Sequence, residues 1–178
     1  EDKELFINLN IIGDGNEKNS LKRLSKELGL KNVIFHGRLF GNELSQLLFK
    51  NHLLVMPGLG GLVVSEALIH DLPVICSVGD GCEVDLLSFN NGIILENMTE
   101  INLYEKIKYL YCNRKELDKM KNNCKKALLT YNYDTYLKSI KNCLKTCEWN
   151  QYSLDFYLES KIKILKPVKI LSVDIFVL

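Results

Sequence analysis

The chain has 178 residues, enough for one domain with a buried core and few for two. Its 23 lysines and arginines stand against 22 acids, a net charge of +1, so composition offers no general attraction to nucleic acid or an anionic membrane. Neither a basic-then-apolar leader nor an apolar run of about 18 residues occurs, which predicts a soluble chain without a transmembrane segment. It starts at Glu1 rather than Met, just ahead of strand-like residues, and reads as a segment of something longer.

The first predicted element is a buried strand in "LFINLNIIGDG" (5–15), rich in Ile, Leu and Phe and stopped by Gly-Asp-Gly. The period then changes. In "NSLKRLSKELGL", Leu21, Leu24 and Leu28 fall on one face and Lys22, Arg23, Lys26 and Glu27 on the other, with Gly29 as a stop, which predicts an amphipathic helix. A strand over 32–37, a helix over 43–50 and an apolar strand over 52–57 follow. "GLGG" is a turn, "LVVSEALIH" a helix apolar nearly all round, and "LPVICS" a strand. "VGDG" leads into a short helix near "EVDLLSF", and "GIIL" is the last strand of the series. Strands apolar on both faces and alternating with helices require a parallel sheet covered on both sides, so an α/β, doubly wound fold is predicted.

From about residue 99 the strand signal vanishes, and three stretches carry helical spacing, as with Leu117, Met120, Cys124, Ala127 and Leu128. These helices are expected on the flank of the sheet. Six cysteines (Cys76, Cys82, Cys112, Cys124, Cys143, Cys147) lack the paired spacings of zinc or redox motifs. They are expected as reduced, packed thiols in a reducing compartment, with Cys143 and Cys147 joining Ile140 and Leu144 on an apolar helix face. The closing "KIKILKPVKILSVDIFVL" reads as one or two strands broken at Pro167, with nothing obvious to pair with.

In an open parallel sheet, ligands sit beyond the carboxyl ends of the strands. The turns to search are therefore those after "IIGDG", "FHGRL", "MPGLGG" and "VGDG". In "MPGLGGLVV", Gly58, Gly60 and Gly61 allow close backbone approach, and the helix from Leu62 aims its free N–H groups and positive dipole end at the same spot. Glu66, about one turn in, is placed to accept two charge-assisted hydrogen bonds from a group beside a phosphate, such as a ribose diol. The plainer alternative is a glycine loop that only turns the chain, with Glu66 solvated. In "GDGCEVD", Asp80 or Gly81 is expected to cap the short helix, with Glu83 complementing its dipole. His36, His52 and His70 stand at element ends and are assigned no catalytic role.

"NIIGDG", "LKRLSKELGLKNVIFHGRL", "LLVMPGLGGLVVSEALIHDLPVICS", "VGDGCEVDLL" and "NNGIIL" occur in the order and spacing of the glycosyltransferase group 1 family. Over residues 5–147 the chain resembles the carboxyl-terminal, nucleotide-sugar-binding domain of these retaining GT-B enzymes. The resemblance implies that Glu66 holds the donor ribose and that Gly58, Gly60, Gly61, Leu62 and Val63 surround the diphosphate and sugar, with Gly37 and Leu39 near the base. It implies a Rossmann-like donor domain over 1–158 that lacks its first strand-helix unit, a tail over 159–178, and a missing N-terminal acceptor domain. It further implies sugar transfer with retention, in polysaccharide biosynthesis, to a glycan or lipid acceptor. No cofactor or essential metal is expected, and the location is cytoplasmic or, through the missing domain, at the membrane periphery. Where the family usually carries a second glutamate, this chain has Gly58, and the isolated segment is expected to be inactive.

Two other readings stand beside this one. "GLGGLV" nearly forms the dinucleotide fingerprint with Asp80 downstream, which would make an NAD-binding oxidoreductase domain, although Val63 replaces the third glycine. The second is a non-catalytic remnant of the glycosyltransferase fold that binds a nucleotide or a protein.

Overall fold

A computed structural model describes residues 5–58, 61–79 and 81–146. The 159–178 tail, Cys147, Gly60 and Asp80 lie outside the described residues. The chain divides into two compact units, one running through Leu128 and the other beginning at Leu129.

In the first unit strands and helices alternate: β1 (Leu9–Ile12), α1 (Lys18–Glu27), β2 (Val33–Gly37), α2 (Gly41–Lys50), β3 (Leu54–Met56), α3 (Leu62–Ile69), β4 (Val74–Ser77), α4 (Cys82–Leu86) and β5 (Gly92–Leu95). Two helices follow, α5 (Glu100–Cys112) and α6 (Arg114–Thr130). Among the described residues every strand pairing is parallel, as helical crossovers require. Among them the ladders are two rather than one: β1 pairs with β2, and β3-β4-β5 form a three-stranded sheet. Leu9 lies opposite Val33 in the first, with an irregularity after Ile11 that brings Ile12 opposite Gly37. In the second, Val74 stands between Leu54 and Gly92.

The alternation of side chains along β4 distributes the core over both faces. Val74 and Cys76 join Val63, Val64, Ala67 and Leu68 of α3, together with Cys124 and Ala127 of α6. Ile75 points the other way, onto Leu110 of α5 and Leu117 and Met120 of α6. α5 and α6 thus cover the sheet's flank as their periodicity predicts. Thr99 caps α5 by accepting a hydrogen bond from the Asn102 amide at 3.2 Å.

α1 forms as its spacing predicts, with Leu24 and Leu28 exposed and no residue of the helix buried. One expectation is corrected: the cysteines divide, with Cys76 and Cys124 buried but Cys112 and Cys143 exposed. Amphipathic spacing identifies a face without supplying a partner for it.

The second unit contributes α7 (Tyr133–Thr146), whose first turn is capped by Asn132 Oδ1, accepting from the Thr135 amide at 3.0 Å. Among the described residues no helix is long and apolar enough to cross a membrane.

Candidate functional site

The turns at the carboxyl ends of the strands are held in two pairs. At the first, the Gly13 amide donates to the Gly37 carbonyl at 2.7 Å, tying the exits of β1 and β2. Lys18, opening α1, forms a 2.5 Å ion pair with Asp14. Its ammonium lies close to Gly37, where a Cβ would meet Nζ at 3.5 Å. The hydrogen bond and charge of Lys18 lower the pKa of the Asp14 carboxyl. Gly37 has φ +74°, a left-handed conformation that favours glycine, so the turn presents main chain rather than side chain. Leu39, two residues on, packs against the core.

At the second pair, Ser77 at the end of β4 donates to the carbonyls of Pro57 at 3.0 Å and Gly58 at 3.2 Å. This hydroxyl anchors the loop leaving β3 to the neighbouring strand. It was not anticipated from the sequence, where a serine closing "LPVICS" carries no distinguishing signal. Gly61, the N-cap of α3, adopts φ +48° and ψ −140°, which turns the chain into the helix. Its carbonyl accepts from the Val64 amide at 3.3 Å. Leu62 is exposed at the helix start, whereas Val63 is buried, so Val63 can meet a ligand only through its main chain. At Gly58 a Cβ would meet nothing within 4 Å, so its lack of a side chain opens space rather than relieving a clash.

Glu66 lies one turn into α3 with its side chain one-third exposed. Its Oε1 is 3.8 Å from Nδ1 of His70, and that same ring nitrogen is 2.8 Å from the Glu66 carbonyl. His70 is buried and meets the Phe49 ring edge-on at 5.0 Å between centroids. The histidine is thus a packed residue that braces the carboxyl half of α3. Glu66 is neither fully solvated nor sealed in the core.

Glu83 departs further from expectation. It is fully buried, and its carboxylate accepts from the Gly79 amide at 2.6 Å and from the Gly81 amide at 3.1 Å. Gly81, at φ +97°, is the N-cap of α4 and offers no side-chain cap. Beyond complementing a dipole, Glu83 is the internal acceptor that shapes the loop after β4. Burial and the neighbouring Glu83 charge push the Cys76 thiol up to about 11.

The structure therefore gathers Gly58, Gly61, Leu62, Val63 and Glu66 around one loop-helix junction beside Ser77, and Gly37 and Leu39 on a separate turn beside Lys18. Residues 3–127 match the family described as "Glycosyl transferases group 1". The chain belongs to that family. Solved structures agree on the architecture, the Rossmann-like half of a GT-B glycosyltransferase. TarM is similar at TM-score 0.65 and 20% identity over 76% of this chain and 28% of that one. HepE of Anabaena in complex with UDP gives 0.64 and 21%, over 79% of this chain and 41% of HepE. The C-terminal domain of a group 1 glycosyl transferase, LpcC, from Francisella tularensis gives 0.54 and 22%, over 64% and 61%. These identities establish the fold, and the chain spans less than two thirds of each relative's length. No curated protein matches it in sequence. With the family established, the near-fingerprint "GLGGLV" is the loop of a glycosyltransferase domain.

Proposed function

We propose that this glycosyltransferase domain binds a nucleotide-diphosphate sugar at the carboxyl ends of β3 and β4 and serves as the donor-binding part of an enzyme that transfers the sugar with retention. The observation that carries the reading is the loop-helix junction: Gly61 opens α3 at φ +48°, and Glu66 stands one turn behind it with its carboxylate partly exposed. The amides at the start of α3 and its positive end would meet the diphosphate, and Glu66 would accept from the ribose hydroxyls. The same amides, fixed before the reaction, would stabilise the departing diphosphate. HepE, similar in fold, was solved with UDP and with UDP-glucose, which supports a uridine nucleotide as the first ligand to try. A second, acceptor-binding domain completes the cleft in this reading, so the 178-residue chain alone turns over little or nothing. No metal or cofactor is assigned a role.

Titration calorimetry with UDP-glucose, a GDP-sugar and NAD tests the proposal. A nucleotide sugar should bind and NAD should not. Glu66→Ala should weaken binding at least about tenfold, as the loss of a charge-assisted hydrogen bond implies, with little change in fold stability. Unchanged affinity in Glu66→Ala would remove the assigned role of that carboxylate. Binding without transfer even after an acceptor domain is supplied would favour a non-catalytic module, a reading to which Gly58, where the family usually has glutamate, lends weight.

A further inference from the structure

Glu66 lies in α3 and His70 caps the carboxyl end of that helix four residues on, a spacing that brings two side chains onto one helix face. The two are joined more closely than spacing alone requires. The His70 main-chain amide donates to the Ala67 carbonyl at 3.0 Å, and the Glu66 carbonyl is met instead by the His70 ring, with Nδ1 at 2.8 Å. A carbonyl oxygen only accepts, so Nδ1 carries the hydrogen. The same ring nitrogen faces the Glu66 carboxylate, with Oε1 at 3.8 Å. That separation is longer than a hydrogen bond and makes this an electrostatic contact.

The surroundings make this contact effective. His70 is 6% exposed, so its N–H meets Oε1 where water screens little, whereas the Glu66 side chain stays one-third exposed. The neighbouring acid, Asp71, turns to Lys125 of α6 at 3.6 Å, which leaves Glu66 as the carboxylate that meets the ring among the described residues. Phe49 holds the ring from the side of α2, edge-on at 5.0 Å between centroids. One oxygen of Glu66 thus faces a fixed, buried donor while the side chain as a whole stays open to a guest.

We propose that His70 is a positioning residue for the donor site, holding the Glu66 carboxylate in the orientation that the ribose hydroxyls meet. The inference rests on the reading of Glu66 as the ribose ligand. A glutamate side chain has several free torsions, and freezing them when a guest arrives costs affinity. A contact that already restrains them lowers that cost. His70 moves no proton and touches no substrate in this role; it acts through Glu66. Restraint of one long side chain is worth about three- to tenfold in affinity.

A double-mutant cycle read by calorimetry tests this, with whichever of UDP-glucose and the GDP-sugar binds the more tightly. His70→Leu, which fills the space but removes the donor, should weaken binding about three- to tenfold. In a Glu66→Ala background it should weaken binding no further. His70→Asn, whose side-chain N–H falls near the place of Nδ1–H, should keep the affinity of the unaltered chain. Equal losses from His70→Leu in both backgrounds would mark the ring as packing alone and overturn the proposal, as would no loss in either. The unaltered chain gives a readout that no misfolded variant can obscure. Its His70 ring nitrogen resonances should report a hydrogen on Nδ1 and should move as the nucleotide sugar saturates the site; resonances that stay in place overturn the proposal. The donor reading fails on other results. Absence of binding by either nucleotide sugar, or full affinity in Glu66→Ala, removes both inferences, whereas a loss in Glu66→Ala without coupling to His70 removes this one alone.

Discussion

Single residues in this protein do unequal work, and Glu83 and Gly92 mark one extreme. Glu83 satisfies two loop amides from a fully buried position. Glu83→Ala leaves both donors without an acceptor and opens a hole, at a cost of roughly 2–4 kcal/mol, to be read as a lower midpoint in urea unfolding. Gly92 is constrained by packing. A Cβ there would lie 2.7 Å from the Val74 carbonyl oxygen and 2.7 Å from a Leu87 methyl. The leucine can move, but the carbonyl belongs to the central strand of the sheet. Gly92→Ala should therefore destabilise by about 1–3 kcal/mol, whereas Gly58→Ala, with nothing within 4 Å, should leave the midpoint unchanged. Equal losses from both alanines would show that the crowding at Gly92 is not what limits it.

At the scale of elements, the loop between β3 and α3 depends on its neighbour β4 through one hydroxyl. Ser77→Ala removes both hydrogen bonds to the Pro57 and Gly58 carbonyls, which remain near solvent. The cost to stability should be about 1 kcal/mol or less. Donor affinity should fall by more than that stability loss, because the loop amides lose their fixed direction. Parallel calorimetry and thermal unfolding measure the two quantities. The succession of elements was legible in the sequence because periodicity and glycine punctuation act locally: the strand ending at Met56, the helix from Leu62 and the strand from Val74 all stand where apolar spacing puts them. Two features were not legible. The exposure of Leu24 and Leu28 depends on what the rest of the chain offers α1 to cover. The burial of Glu83 depends on a loop folding back over it. Each is a tertiary outcome with no local signature.

For the molecule as a whole, the buried thiols set an alkaline boundary. Burial, aided by neighbouring carboxylates, raises Cys76 from 9.0 to about 11 and Cys124 from 9.0 to about 12. Between the unfolded and folded values, the unfolded chain has lost protons that the folded chain retains. The contribution of these groups is therefore fully present below pH 9.0 and is lost as pH rises through about 11 to 12. Unfolding midpoints measured from pH 8 upward should decline beyond about pH 9, and Cys76→Val/Cys124→Val should flatten that decline. An unaltered slope in the double variant would assign it to other groups. Alkylation under native conditions should label the exposed Cys112 and Cys143 and reach Cys76 and Cys124 only on unfolding. The family was legible from the "GLVVSEAL" and "LPVI" stretch because buried apolar side chains and a partly exposed carboxylate share one helix.

That helix has a consequence for recognition. Val63, Val64, Ala67 and Leu68 lock α3 into the interior, and His70 wedges its far end against Phe49. Tilting or unwinding it would expose all four side chains to water, so its amino end is aimed before any guest arrives. If the proposed donor site holds, an incoming anion would not need to organise this end of its own cradle, and discrimination among donors would fall to the softer parts of the rim, where a change of one side chain could retune choice without disturbing the scaffold.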